Sequence, residues 1–185
     1  MRSAAIVIFL LIALFPPHAM AWNEPDNFRG IPWGASLDDA RRTLLDSWKP
    51  SEQLHGHPEC PPAKARCVQK GKLGPIDVTF VYTFKDDRFV SALIMFKAAD
   101  YKAVRTILTE RYGAPTTQQR IEIRTKVGVP HESELGVWRG EKVSVMLERF
   151  HKRVDEGLAG VAMNAYLQEG IERRQEEIKK GKDDL

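Results

Sequence analysis

The sequence predicts an α+β fold, in which an antiparallel sheet carries two helices on one face and a polar helix follows at the C-terminus. Residues 76–84 alternate apolar and polar side chains, which is the period of a half-buried strand. Residues 37–48 and 101–112 instead place apolar side chains three and four positions apart, which is the period of a helix facing a core. Strands joined by short turns favour an antiparallel meander over a parallel sheet.

The first 21 residues have the pattern of a secretory signal peptide. Arg2 gives a short positive start, residues 4–15 are apolar without interruption, and the Ala-Met-Ala sequence at 19–21 fits a cleavage site. The apolar run ends at a Pro-Pro pair and is shorter than the ~20 residues of a membrane-spanning helix. We therefore expect a secreted protein, in the periplasm of a Gram-negative bacterium, that begins at Trp22 and has no transmembrane segment after cleavage.

The net charge of the chain and the catalytic motifs that it lacks bear on which classes of function are to be expected. The chain has 28 Lys and Arg residues against 25 Asp and Glu residues, and removal of Arg2 leaves 27 against 25, a net charge of +2. This charge is too small for binding to nucleic acid by phosphate neutralisation. The motifs H-E-x-x-H, G-x-S-x-G, Walker A and S-x-x-K are missing from the sequence. We expect neither catalysis nor a cofactor, with a hydrolase of unrecognised site as an alternative.

An aromatic segment precedes the first helix. Residues 28–34, Phe-Arg-Gly-Ile-Pro-Trp-Gly, interleave aromatic side chains with Gly and Pro. Trp33 is therefore a candidate binding-surface aromatic, with core packing as the alternative. Ser36 is the predicted N-cap, and Asp39 three positions later completes a capping pair. The predicted helix covers residues 37–48.

Cys60 and Cys67 lie in a proline-rich loop and are predicted to form a disulfide. A chain sent to an oxidising compartment favours this outcome. The loop-entropy relation gives a stabilisation of ~2 to 3 kcal/mol for so short a loop. The alternative is a metal site that uses His55 and His57 with one or both thiolates, since imidazole and thiolate ligands suit Zn or Cu.

A β-meander is predicted after the cysteine loop. Its strands are residues 68–73, 76–84 and 89–96, and the Asp86-Asp87 pair is predicted to form a turn rather than an acid pair for catalysis. Asp100 is the predicted cap of the second helix over residues 101–112.

Further strands are predicted in the second half of the chain. Trp138 lies on one of them and is the second candidate binding-surface aromatic. The predicted strands cover residues 120–127, 135–139, 143–147 and 160–167. We expect one domain over residues 22–168 and a charged C-terminal helix or tail over residues 169–185.

The two halves of this domain resemble each other. Residues 40–45, Ala-Arg-Arg-Thr-Leu-Leu, match residues 103–108, Ala-Val-Arg-Thr-Ile-Leu, at an offset of 63 positions. The match predicts a duplicated helix-plus-meander unit with repeats at 28–98 and 99–168, although amphipathic helices also match by chance. A duplication predicts one antiparallel sheet with both helices on one face and the other face partly open.

The chain resembles a group of small, uncharacterised secreted bacterial proteins. The resemblance rests on the signal peptide, on F-x-G-I-P-W-G-x-S at residues 28–36, on F-x4-F at 84–89 and on Y-G-x-P at 112–115, and it covers most of the mature chain. In layout, the doubled unit is similar to secreted β-lactamase-inhibitor proteins and to small envelope-assembly lipoproteins, which act by contacting other proteins. The resemblance implies a binding role, but no inhibitory residue matches a position here.

A basic cluster at Arg149, Lys152 and Arg153 is a candidate contact for an anionic partner. In the envelope such a patch would meet lipid phosphates or an acidic protein surface, and a solvated strand end is the alternative. From these observations we expect a non-enzymatic binding or interaction protein of the bacterial envelope. The partner would be another envelope protein or an anionic envelope component, and a metal-handling protein using His55 and His57 is the alternative.

Overall fold

A computed structural model gives the structure over residues 22–48, 56–61, 65–124, 129–151 and 153–183. The predicted signal peptide, His55 and Lys152 lie outside these described residues. Within the described residues, none of the helices combines the length and the apolar character needed to cross a membrane.

The described residues form nine strands and three helices. The strands in chain order are β1 Asn27–Phe28, β2 Ile31–Pro32, β3 Arg66–Leu73, β4 Ile76–Lys85, β5 Arg88–Lys97, β6 Thr117–Arg124, β7 Pro130–Arg139, β8 Val143–Glu148 and β9 Glu156–Met163. The helices are α1 Leu37–Asp46, α2 Tyr101–Tyr112 and α3 Asn164–Asp183, and a 3-10 turn over Ala98–Asp100 precedes α2.

Strands β3 to β9 form one seven-stranded sheet in the order β3-β4-β5-β9-β8-β7-β6. Every neighbouring pair in this sheet is antiparallel. The two short strands β1 and β2 form a separate hairpin. The combination of one antiparallel sheet with helices outside it confirms the predicted α+β class.

The hydrophobic core lies between one face of the sheet and the helices α1 and α2. Alternate strand positions point to this helix-covered face and are buried, as the alternation in β4 predicts. Ala40 and Leu44 of α1 enter the same core. So do four residues of α2: Tyr101, Val104, Leu108 and Tyr112. The prediction that both helices cover a single face is confirmed.

The N-terminus of α1 is fixed by side chains from two elements. Ser36 Oγ accepts a hydrogen bond from the Asp39 backbone N–H at 3.1 Å and donates one to the Asp39 carboxylate at 2.7 Å. Asp87, in the turn between β4 and β5, accepts a hydrogen bond from the Leu37 N–H at 3.0 Å. The predicted cap and turn are therefore present, and the turn also anchors the helix. The helix ends at Asp46, two residues before the predicted end.

The N-terminal segment is bound to the end of α2 and to the β7–β8 turn. The Asn23 N–H donates to the Tyr112 carbonyl at 2.9 Å. The Glu24 carboxylate accepts hydrogen bonds from three successive backbone N–H groups, those of residues 141–143. Burial acts to raise the pKa of Glu24, but these backbone donors outweigh it and leave the pKa below its ordinary value. The ionised carboxylate therefore stabilises the β7–β8 turn.

The last strand and the C-terminal helix meet earlier than predicted. The predicted strand over residues 160–167 is wrong in its second part, because β9 ends at Met163 and α3 begins at Asn164. Asn164 Nδ2 donates to the carbonyls of Gly140 and Glu141, and its Oδ1 accepts from Ser144 Oγ at 2.7 Å. These contacts end the strand, and the alternation of buried positions does not continue. The helix thus starts five residues before the predicted boundary at 169.

The arrangement of the elements follows the sequence offset of 63 positions. This offset carries α1 onto α2, β3 onto β7 and β4 onto β8. Strands β5 and β9 pair with each other at the centre of the sheet. Within the described residues, β6 has no counterpart in the first half. The duplication itself stays a prediction.

Candidate functional site

Arg29 is a partly buried cation whose described hydrogen-bond partners are neutral. It lies in the turn of the β1–β2 hairpin with a positive φ of 53°. Its Nη1 donates to the hydroxyl of Tyr82 at 3.3 Å and to Oε1 of Gln69 at 3.5 Å. The guanidinium carbon lies 4.0 Å from the centre of the Phe80 ring, a cation–π distance. Strands β3 and β4 thus hold the guanidinium in one position.

The charge of Arg29 is not neutralised by the groups that hold it. Gln69 and Tyr82 are 2% and 0% exposed and belong to the buried side of the sheet. Burial raises the pKa of Tyr82 to about 12, although Arg29 acts to lower it, so the phenol stays uncharged at physiological pH. Among the described residues, Arg29 forms no ion pair with a carboxylate.

A cavity of about 170 Å³ opens beside Arg29, which we call the Arg29 pocket. It lies between the β1–β2 hairpin, the β3–β4 turn and α2. Its polar borders are Arg29, Lys72 and Arg111. Most of its wall is apolar: Phe28, Leu73, Phe80, Ile94, Ile107 and Leu108.

The side of the sheet opposite α1 and α2, which we call the helix-free face, carries a continuous row of aliphatic side chains. The row runs across neighbouring strands at one register level, and Gly160 of β9 stands at its centre. Met146 is 37% exposed, and the other members are half-buried within the sheet surface. We call this the aliphatic row: Val68, Val81, Leu93, Met146 and Val137. None of its members belongs to the core cluster on the helix-covered face.

Exposed cations flank the aliphatic row on the edge strand β3 and on β7, the strand next to the opposite edge. Arg66 and Lys70 lie on β3, and Arg139 lies on β7, each on the helix-free face by register. None of the three pairs with a carboxylate in the part of the chain that the structure describes. The helix-free face therefore joins an apolar centre to a rim with three cations that lack described carboxylate partners, and the carboxylates Glu148 and Glu156 lie on the same face by alternation.

The predicted disulfide between Cys60 and Cys67 is present, with Cα atoms 4.2 Å apart. It removes both thiolates from the alternative metal site. His57 is exposed, and its ring packs edge-on against Trp48 at 5.0 Å between centroids. His55 lies outside the described residues. Across the described ranges, no group of three or more His, Cys, Asp or Glu side chains is placed to hold a metal ion.

The predicted basic cluster is accompanied by carboxylates. Arg153 donates to both carboxylate oxygens of Asp155, at 2.9 and 2.8 Å, and this hydrogen bond holds the pKa of Asp155 below its ordinary value. Arg149 lies 4.0 Å from Glu134 and stacks over Phe150 at 4.8 Å. These pairings give the described part of the cluster less free charge than the rim of the helix-free face.

The two candidate surface tryptophans serve mainly in packing. Trp138 is 0% exposed, and its indole Nε1 donates to the Gly113 carbonyl at 2.8 Å. The prediction that Trp138 is a binding-surface aromatic is wrong, because its strand position faces the helices. Trp33 is half-buried, stacks on Phe89 at 4.8 Å and donates to the Pro25 carbonyl.

Sequence reasoning did not single out Arg29, Gln69 or the aliphatic row. Gln69 does carry a signal, because it occupies a buried position in the alternation of β3 and a buried amide requires a partner. The row has no comparable signal, since its members become neighbours only when the order of the strands is known.

Both sites combine positive charge with apolar side chains. The Arg29 pocket joins a fixed guanidinium to apolar walls, and the helix-free face joins an apolar surface to a cationic rim. Both arrangements recognise groups that are partly apolar and partly anionic. In comparisons with known proteins, no protein-family model, no curated protein and no solved structure matches the chain.

Proposed function

We propose that the protein is an exported, non-enzymatic binding protein of the bacterial envelope that docks an acidic, aliphatic segment of another envelope protein on its helix-free face. The single observation that carries this proposal is the aliphatic row with its rim of cations that lack described carboxylate partners. The signal-peptide pattern and the disulfide support export to an oxidising compartment.

The shape of the face favours a protein partner over a membrane surface. Most side chains of the aliphatic row are half-buried between their strand neighbours, so they form a flush surface. Such a surface can be covered by another packed surface, whereas insertion among lipid chains requires apolar groups that protrude.

The charges favour an acidic partner. Arg66 and Lys70 lie on the edge strand β3 and Arg139 lies on β7, so a partner that covers the row between these strands brings its own periphery against them. Complementary charges at an interface rim accelerate association and select the partner, while the apolar centre supplies most of the affinity.

Site-specific photo-crosslinking tests this proposal. A benzophenone amino acid at Met146 should form discrete adducts with one envelope protein, and mass spectrometry should place the adduct in a segment rich in aliphatic and acidic residues. The matched control is the same probe at Val154, which is 39% exposed, lies in the β8–β9 connection and is not a member of the aliphatic row. This control should not form the adduct.

Binding of the purified partner completes the test. Met146→Asp should weaken binding at least about tenfold, because a carboxylate then stands at the apolar centre, whereas Val154→Asp should leave it unchanged. The proposal fails if the adducts are absent, if both positions give the same adducts, if the adducts are lipids, or if Met146→Asp binds as well as the wild type.

A further inference from the structure

The Arg29 pocket combines an apolar interior with uncompensated positive charge. Lys72 at its border is paired with Asp77 at 2.6 Å. Arg29 and Arg111 have no carboxylate partner among the described residues, and Arg111 contacts the Tyr112 ring at 5.7 Å. Two guanidinium groups therefore border one apolar cavity, which favours an anion over a neutral or cationic ligand.

The size of the cavity limits the apolar part of a ligand. An apolar protein cavity of ~150 Å³ lined by Leu, Ile and Phe holds one benzene molecule. The Arg29 pocket has about 170 Å³ and comparable walls, from Phe28, Phe80, Ile94 and Leu108 among others. It therefore accommodates one aromatic ring or a short alkyl chain, and it is too small for a long fatty-acid chain.

The guanidinium of Arg29 retains donors for such a ligand. Its described hydrogen bonds to Tyr82 and Gln69 both use Nη1. Nε and Nη2 have no hydrogen-bond partner among the described residues. These two nitrogens form the edge of the guanidinium that binds a carboxylate through two parallel hydrogen bonds.

We propose that the Arg29 pocket binds a small amphiphilic carboxylate, with the carboxylate on Arg29 and Arg111 and a single aromatic ring or a short alkyl chain in the cavity. Stacking over Phe80 explains the position of Arg29 by itself. It does not explain why a second unpaired arginine stands at the same cavity. The pocket opens on the helix-covered side of the sheet, so this proposal does not depend on docking at the helix-free face.

Calorimetric titration with defined probes tests the ligand class. The anionic probes are 3-phenylpropionate, hexanoate and decanoate, and the controls of similar apolar size are 1-hexanol and hexylamine. We expect saturable binding of 3-phenylpropionate and hexanoate with a Kd below roughly 10 mM. Hexanol should bind at least about tenfold more weakly, hexylamine should not bind, and decanoate should gain little over hexanoate because the cavity ends.

Substitutions of single cations test the site. Arg111→Gln should weaken binding of 3-phenylpropionate at least about threefold, and Arg29→Met at least about tenfold, because Arg29 supplies the paired donors. Arg124→Gln, an exposed arginine paired with Glu122, is the matched control and should stay within about twofold of the wild type. Arg111 is exposed, so its variant remains informative if Arg29→Met does not fold.

Several outcomes would overturn the proposal. They are no saturable binding by the wild type, equal binding of hexanol and hexanoate, or unchanged binding in Arg111→Gln. Met146→Asp separates this proposal from the function proposed above, because Met146 is on the other face and its substitution should leave binding of 3-phenylpropionate unchanged. Loss of binding in Met146→Asp would contradict the assignment to the Arg29 pocket.

Discussion

The two faces of the seven-stranded sheet are built from different kinds of side chain. The helix-covered face is filled with rings, among them Phe80, Tyr82 and Trp138, and its polar atoms are hydrogen-bonded. The helix-free face carries shorter aliphatic side chains around Gly160. Rings bury the most surface per residue and fix their neighbours by their shape, so they stabilise a core. Short side chains level with the sheet leave a surface that another protein can cover.

Neighbouring residues on one strand therefore contribute to different faces of the sheet. Successive side chains point to opposite faces, so Val137 belongs to the helix-free face and Trp138 belongs to the core. The difference between the faces teaches that a substitution can alter the surface of the sheet without altering its core, because each strand position belongs to only one face.

The largest expected effect on the free energy of unfolding distinguishes Trp138 from its neighbour Val137. Trp138→Ala should lower the free energy of unfolding by about 3 to 5 kcal/mol, because it leaves a large cavity and an unpaired Gly113 carbonyl. Val137→Ala should cost about 1 kcal/mol or less, because the side chain is already partly in contact with water. Denaturant titration followed by circular dichroism measures both values. Equal losses in the two variants would contradict the division between the faces.

Two glycines of β9 give the next comparison. A Cβ at Gly157 would clash with the Phe96 ring, so Gly157→Ala should destabilise the fold by about 1 to 3 kcal/mol. A Cβ at Gly160, on the other face, would meet only the tip of Leu93 at 3.4 Å. Gly160→Ala should therefore change stability by less than about 1 kcal/mol in either direction. Thermal unfolding of both variants at one pH measures the two changes in stability. A larger loss of stability in Gly160→Ala than in Gly157→Ala would contradict this expectation.

The smallest expected effect concerns the N-terminal segment. Because the pKa of Glu24 is lowered in the folded protein, its stabilisation is present above its ordinary value of about 4.5 and is lost as the pH falls through the folded-state pKa. Glu24→Gln should cost about 1 kcal/mol at pH 7, and the difference from the wild type should shrink at acid pH.

Glu141→Gln provides the control for this measurement. It removes the same charge from the neighbouring turn, and its side chain is exposed. In chemical unfolding, the free energy of unfolding of this variant should equal that of the wild type at pH 7 and at pH 3. A cost for Glu24→Gln that stayed constant from pH 7 to pH 3 would contradict the role of the ionised carboxylate.

The fold was largely predictable because its signals are local. The alternation in residues 76–84 and the capping pair Ser36 and Asp39 each depend on residues close in the chain, and the structure contains both. The C-terminal strand boundary was not predictable, because it depends on Asn164 meeting the carbonyls of the β7–β8 turn more than 20 residues earlier in the chain.

The candidate sites escaped prediction for a related reason. Arg29 meets Tyr82 and Gln69 across separations of 53 and 40 residues, and these contacts exist only after the sheet forms. The candidate sites that the sequence did suggest, such as Trp138 and the basic cluster, were suggested by residues close together in the chain. The structure uses the first for packing and pairs Arg153 of the second with Asp155.

The anchoring of Asn23 has a consequence for the cleavage that the sequence predicts after Ala21. Proteolysis requires the backbone beside the cleaved bond to be accessible. In the folded protein the Asn23 amide is bonded to the Tyr112 carbonyl, and Trp22 packs edge-on against the Tyr112 ring. If the chain is cut after Ala21, we therefore expect the cut to precede the docking of these residues and a precursor that folds first to be processed more slowly.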